Sequence, residues 1–355
     1  MRTCKKCVLD NSIPELEFDR AGICNFCLDW EKREQERLKE KENLPKIIEQ
    51  IKKDGQGKDY DILIGLSGGC DSSYCLHLLI ELGLRPFCFT IDNGWNRDRE
   101  SDENILKMVE KLKVPFYRYT IDNEKFNELY WSFIKGGIKN LEAISDHLIF
   151  ATTYELADKY NIRWTCSGGN LATESIMPRS FGEEDPRDLF FIKSVYKKMI
   201  GQKLTGLPML PLWKEQYYRL IKRFEKINLL DYFEYNRNEA AKILSEKYNW
   251  REYGEKHCES LLTWWFQNYY LPIKFKIDKR KAHFSSLICS GQMAREEALV
   301  RLGESPVYPK IGWEEECLKY PIKGYFDYPN SYHIRRVVMW LYKIWKFWRP
   351  KKILQ

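Results

Sequence analysis

Asp61-Ile62-Leu63-Ile64-Gly65-Leu66-Ser67-Gly68-Gly69-Cys70-Asp71-Ser72-Ser73 decides the reading of this chain. An apolar run of strand length meets two adjacent glycines, and helix-forming residues follow from Ser73 to Leu82. Paired glycines let a backbone approach a ligand closely and turn its N–H groups inward. The helix N-terminus behind them adds unpaired donors and a partial positive charge, which favour phosphate. Ser67 and Ser72 can donate to phosphate oxygens, and Asp71 can hold a Mg²⁺ that bridges them. The loop is neither a Walker A sequence, which needs Gly-Lys-Ser/Thr, nor a Gly-x-Gly-x-x-Gly dinucleotide fingerprint. A serine-capped helix after an ordinary glycine turn would use the same letters.

Outward from the loop, strands are expected at 62–66, 86–91, 115–120 and 163–166, and helices at 73–82, 103–112, 124–135 and 145–160. That alternation predicts an open parallel α/β sheet with right-handed crossovers, covered on both faces. Ligands collect at the carboxyl ends of such strands, where Asp92 and the run Ser167-Gly168-Gly169-Asn170 fall. Asp92-Asn93-Gly94 would also serve as a plain turn. After about residue 195 the strand signal fades, and helices are expected at 214–227, 238–247, 255–270, 292–302 and 331–349. The resulting division is a cysteine unit over 1–30, a charged helical linker over 31–57, the α/β domain over 58–200 and a mostly helical region over 201–355.

Cys4-x2-Cys7-x16-Cys24-x2-Cys27 has the spacing of a four-thiolate zinc ribbon. Such a closed site does no chemistry; binding folds a segment with little apolar core of its own. An iron–sulfur cluster or redox pairs are the alternatives. The other seven of the eleven cysteines fit no ligand spacing. Four cysteines in metal spacing suit a reducing, cytoplasmic setting, and neither a secretory leader nor a membrane-length apolar run is visible. A net charge of +7 in a chain of 355 residues with 44% hydrophobic and 31% charged residues describes a globular protein suited to a polyanionic substrate.

The loop resembles Ser-Gly-Gly-x-Asp-Ser of the ATP pyrophosphatases, the PP-loop enzymes that release AMP and pyrophosphate. Within that superfamily Ser145–Thr152, Cys166–Glu174, Phe275–Ile288 and Ser290–Ala298 look like the N-acetyl sugar amidotransferases, as do the cysteine knuckles. The resemblance covers roughly residues 1–325. It implies an adenine nucleotide alpha hydrolase-like fold and conversion of an acetamido group on a nucleotide-linked sugar to an acetamidino group. ATP, Mg²⁺ and Zn²⁺ are the implied cofactors, and lipopolysaccharide O-antigen or glycan biosynthesis the implied setting. Ammonia would come from a separate glutaminase subunit, often with a cyclase-like companion; nucleic acid is not the expected partner.

An amide oxygen leaves only once activated. Attack of the acetamido oxygen on the α-phosphorus of ATP gives an O-adenylyl imidate, ammonia adds, and AMP departs. The pyrophosphate site is assigned to Ser67, Gly68, Gly69, Asp71, Ser72, Asp92 and Gly168. Asn170 and Glu174 are expected to face the acetamido group or the ammonia path, although Asn170 would also serve as a helix cap. Lys279, Arg280 and Lys281 are expected to carry charge for pyrophosphate or sugar phosphate, or else to form a solvated basic turn. His147 and His283 suit either the site or hydrogen-bonded structural positions. A tRNA-thiolating enzyme and a non-catalytic adenine-nucleotide module are the competing readings. The aromatic and basic segment 332–349 suits core packing, a subunit contact or a peripheral contact with the inner membrane.

Overall fold

The computed structural model describes residues 2–95, 99–182, 184–254 and 260–348. β1 (Ile62–Gly65), β2 (Pro86–Asp92), β3 (Phe116–Thr120), β4 (Trp164–Ser167) and β5 (Glu225–Asn228) form one sheet in the order β3-β2-β1-β4-β5. All pairings are parallel. A parallel sheet is buried on both faces, so β1 reads as a continuous apolar run. Its side chains alternate: Ile62 and Ile64 enter one core with Leu76, Leu79 and Leu244, while Leu63 enters another with Phe87, Phe89 and Leu156.

β5 corrects the sequence reading. A helix was expected over 214–227, but helix Leu212–Leu220 ends early and the chain re-enters the sheet beside β4. Helix Arg237–Tyr248 then packs on helix Cys70–Glu81, so the α/β layer runs well past the boundary expected at 200.

A separate, aromatic core joins helices Asn123–Lys135 and Leu189–Ile200 to segment 261–275, through Phe126, Phe133, Phe191, Trp265 and Tyr270. An α-helix was expected over 255–270; 255–259 lie outside the described residues. The chain is α-helical at Leu261–Trp265 and then π-helical over Phe266–Phe275, with Pro272 inside. Proline has no N–H for an α ladder, and π turns of this kind recur at functional sites. Lys276 ends the segment in the left-handed region at φ 58°.

The N-terminal unit is not a loose appendage. Its core shares Ile176, Phe181, Ala282 and Cys289 with the rest of the chain. Arg295 donates to the carbonyls of Cys7 at 3.1 Å and Cys4 at 3.0 Å, and Lys281 pairs with Asp10 at 2.6 Å.

Candidate active site

β1 neighbours β2 on one side and β4 on the other, so the crevice above β1 is the switch point where open α/β sheets bind ligands. The pyrophosphate loop occupies it. Gly68 has φ +84°, and its carbonyl accepts from Trp250 Nε1 at 3.0 Å, which fixes one face of the turn. Ser67 Oγ accepts from the Gly69 N–H at 3.2 Å and lies 3.2 Å from Ser72 Oγ. Ser72 is buried and its Oγ also accepts from the Ser67 N–H at 3.3 Å, so this hydroxyl closes the turn that presents the loop. A β-carbon on Gly168 would stand 3.1 Å from the Ser72 nitrogen; the glycine lets the β4 turn pack on the start of helix Cys70–Glu81.

Asp71 leads that helix, with Tyr235 donating to Oδ1 and Thr173 to Oδ2, the latter at 3.4 Å. The two hydroxyls orient this carboxylate at the start of the helix, beside the loop, and a carboxylate oxygen is the ligand type that Mg²⁺ prefers. When bound, the ion would neutralise charge on the polyphosphate.

The loop opens into a cavity of about 520 Å³. Gly65, Ser67, Thr90, Ile91 and Asn93 form the wall on the loop side. Opposite them stand Glu142, Asp146, Glu174, Gln267, Lys279 and His283. Lys279 Nζ lies 2.5 Å from Glu142 Oε2, and Gln267 Nε2 donates to Glu142 Oε1 at 2.6 Å. Glu142 and Asp146 are one turn apart on helix Glu142–Lys159, which places both on one face. Burial, then the charge of Glu142, pushes the Asp146 carboxyl up to about 7, and Lys279 acts against that rise. A carboxylate poised there can take a proton from an incoming amine near neutral pH.

An unfolded Asp146 would ionise near 3.8 and the folded one near 7, so between those values the folded chain holds the extra proton. Its contribution to stability is therefore full below about pH 4 and is lost as pH rises through 7. Asp146→Asn should be more stable than the parent by about 2–4 kcal/mol at pH 8, and the gap should close toward pH 4. Melting curves of both proteins across that range check this; a gap independent of pH would remove the assignment.

Several expected residues lie elsewhere. Asn170 caps helix Leu171–Glu174, accepting from the Thr173 N–H at 2.8 Å and donating to the Gly168 carbonyl at 3.1 Å, so it shapes the β4 turn rather than facing substrate. Glu174, four residues on, does line the cavity. Asp92 accepts from the Gly94 N–H at 3.0 Å and has Arg118 3.9 Å away, which leaves Asn93 to border the cavity. Lys279, Arg280 and Lys281 diverge because successive residues at a helix start point about 100° apart. Lys279 alone of the three lines the main cavity. Arg280 chelates Asp278 at 2.7 Å and donates to the carbonyls of Arg301 and Glu304, and Lys281 clamps the N-terminal unit. His147 is structural: Nδ1 donates to the Pro186 carbonyl at 2.7 Å, Nε2 accepts from the Leu210 N–H, and burial lowers it to about 4.

Sequence reasoning missed Tyr235, Trp250, Gln267 and the Glu142–Asp146 pair. Acids four apart on a helix that precedes β4 were the one available signal for that pair. Nothing local marks Gln267.

The Cys4, Cys7, Cys24 and Cys27 sulfurs all lie within 4.8 Å of one another and are buried, and could hold one metal ion. Sγ–Sγ separations of 4.0, 3.7 and 3.6 Å fit the edges of a tetrahedron of metal–thiolate bonds about 2.3 Å long. Cys289 joins this neighbourhood unannounced by any spacing, its sulfur 3.6 Å from Cys27.

Residues 259–326 match the family described as "LPS biosynthesis protein WbpG-like, C-terminal domain". This is the stretch that supplies Gln267, Lys279 and His283 to the cavity. Curated relatives include tRNA-specific 2-thiouridylases from Fusobacterium nucleatum, 27% identical over 118 residues (32% of this chain, 34% of that protein), and from Staphylococcus saprophyticus, 24% identical over 123 residues (31% and 33%). The chain thus spans about a third of the length of the curated relatives it matches. Among solved structures, NMN synthetase from Francisella tularensis aligns at 14% identity over 83% of this chain and 98% of that one, with a TM-score of 0.34. The U34-tRNA thiolase NcsA from Methanococcus maripaludis, with its [4Fe-4S] cluster, aligns at 14% over 90% and 96%, with a TM-score of 0.33. With a Ser-Gly-Gly-x-Asp-Ser loop at the switch point of its sheet, the chain is similar to the PP-loop ATP pyrophosphatases, and over residues 259–326, which wall the cavity beside that loop, it matches the WbpG-like C-terminal domain.

Proposed function

We propose that the protein is an ATP-dependent amidotransferase converting an acetamido group of a nucleotide-linked sugar to an acetamidino group. The observation that carries the reading is one shared cavity: the pyrophosphate loop opens onto the same space as Lys279, Gln267 and the acids Glu142, Asp146 and Glu174. ATP would lie across the loop with its adenosine along Thr90, Ile91 and Asn93. The acetamido oxygen attacks the α-phosphorus, the bond to the pyrophosphate oxygen breaks, and the amide carbon becomes an O-adenylyl imidate. Ammonia, delivered by a partner glutaminase, adds to that carbon. Its surplus proton passes to the carboxylate group around Asp146, and AMP leaves with the former acetamido oxygen. Positioning and charge neutralisation supply most of the acceleration. Zinc in the four-thiolate cluster holds the N-terminal unit and takes no part in the chemistry.

The relatives that thiolate tRNA raise a second reading. Thiolation by a cysteine nucleophile needs an accessible thiol of low pKa. Among the described residues, the loop thiol of Cys70 is buried and pushed up to about 12 by burial and by Asp71, and Cys88 is likewise pushed up to about 12 by burial. Both speak for the amidotransferase.

Mass spectrometry of a reaction with ATP, Mg²⁺, ammonium and a UDP-linked di-N-acetamido uronic acid tests the proposal. The expected product is about one mass unit lighter than its substrate, as exchange of oxygen for NH requires, and equimolar AMP accompanies it. Lys279→Met should still bind ATP yet form product about 10²-fold more slowly. Sulfur transfer to tRNA without any mass change in sugars would overturn the reading.

A further inference from the structure

Among the described residues, helix Tyr332–Trp348 is anchored through Arg335, Met339 and Tyr342. Arg335 is buried and pairs with Glu215 at 2.8 Å and Asp185 at 3.2 Å, and Arg219 reaches Met339 at 3.3 Å and stacks on Tyr342. These contacts fix the helix's rotation. They leave Ile334, Val337, Trp340, Leu341 and Ile344 facing solvent, with Ile334 62%, Val337 56% and Trp340 61% exposed. At 100° per residue these five fall within one third of the helix circumference. Arg336 and Lys343 stand on either side of Trp340 along the helix, at i−4 and i+3, and are exposed. The neighbouring helix Leu212–Leu220 carries its own outward row, Trp213, Tyr217 and the following Ile221, with Lys214 and Lys222 laid over the rings of Tyr218 and Tyr217.

We propose that this face is a docking surface for anionic phospholipid, and that it seats the enzyme on a membrane in the interfacial plane. Charge decides the occupant. Residues 329–355 contain seven Lys and Arg and no Asp or Glu. A second copy of the chain would cover the same apolar row, but an antiparallel two-fold pairing would bring the Arg336 and Lys343 edges of both copies together. An anionic surface satisfies the apolar row and the basic edge at once, with tryptophan at headgroup depth and lysine stems lying along apolar surface. Spanning is a different matter: no described helix is long and apolar enough to cross a membrane.

The test is flotation of the full chain with vesicles of phosphatidylcholine alone and vesicles enriched in phosphatidylglycerol. The protein should float with the anionic vesicles, stay behind with the neutral ones, and be released by high salt. The double variant Trp340→Ser, Leu341→Ser should partition at least about tenfold more weakly, with an unchanged melting temperature, since both side chains lie on the solvent side. Failure to float with anionic vesicles, or equal flotation of the variant, would overturn the proposal. So would a dimer seen by ultracentrifugation that the same double variant dissolves, because the face would then belong to a second copy. None of these outcomes depends on which reaction the enzyme catalyses.

Discussion

Alanine at Gly68 should lower ATP-dependent AMP formation by about 10³-fold or more. Gly68 sits at φ +84°, and a β-carbon there would come 2.1 Å from the carbonyl oxygen of Ser101. Ser101 is fully buried in helix Arg99–Leu112, and the Gly68 carbonyl is held from the other side by Trp250. Neither backbone can yield, so the loop itself must move and its inward N–H groups lose their common focus. The left-handed backbone adds about 1–2 kcal/mol of strain for any L side chain. Gly57 is the internal control: it has φ +73°, but nothing lies within 4 Å of its would-be β-carbon. Gly57→Ala should cost about 1 kcal/mol of stability and leave turnover unchanged. Initial rates of AMP release and melting temperatures for both variants check the pair. A Gly68→Ala protein that keeps its rate within a factor of about ten would show that the loop does not grip the polyphosphate.

Loss of a metal from the four-thiolate cluster should be felt at the cavity, although the cluster lies outside it. The four-thiolate unit presents the carbonyls of Cys4 and Cys7 to Arg295, and its Asp10 to Lys281. Lys281 lies in helix Arg280–Cys289, and the residue that caps the start of that helix is Lys279. Hydrogen bonds to a charged partner are worth about 1.5–3 kcal/mol each, so loss of this set frees the helix that aims Lys279 at Glu142. One zinc per chain is the expected content. A chelator, or Cys24→Ser, should lower the melting temperature by about 10 °C or more and lower product formation by about tenfold. ATP binding should survive better than product formation, because the pyrophosphate loop and helix Cys70–Glu81 pack in a different core from the thiolate unit. Elemental analysis with calorimetry, and ATP titration of the stripped protein, measure the three effects separately.

The loop, strands β1 to β4 and the thiolate cluster were legible because each is written in neighbouring residues. Gly68-Gly69 before a helix has few other uses, and two Cys-x2-Cys turns are complete ligand pairs in themselves. β5 escaped because Glu225-Lys226-Ile227-Asn228 is four residues long, charged at its start, and lies at the sheet edge, where burial imposes no apolar run. The wall opposite the loop escaped for another reason. Glu142, Gln267 and Lys279 lie more than a hundred residues apart in part, and only the packing of segment 261–275 on helix Glu142–Lys159 makes them neighbours. Lys279, Arg280 and Lys281 looked equivalent as letters, and became a cavity residue, a loop clamp and a domain clamp through nothing but helical geometry. Asn170 shows the reverse: its cap was written in the sequence, and the cap is its role.

The clamp between Arg295 and the N-terminal carbonyls also sets a timetable for synthesis. All four thiolates are made by residue 27, so an ion could be captured there while most of the chain is unmade. Its permanent docking partners, Lys281 and Arg295, follow only after about 250 further residues, roughly a quarter of a minute to a minute at typical elongation rates. Through that interval a metal unit folded early would lack its Lys281 and Arg295 clamp, and the part of its apolar face that meets Ala282 would stay uncovered. Activity can therefore begin only when the emerging chain has closed back on its own beginning.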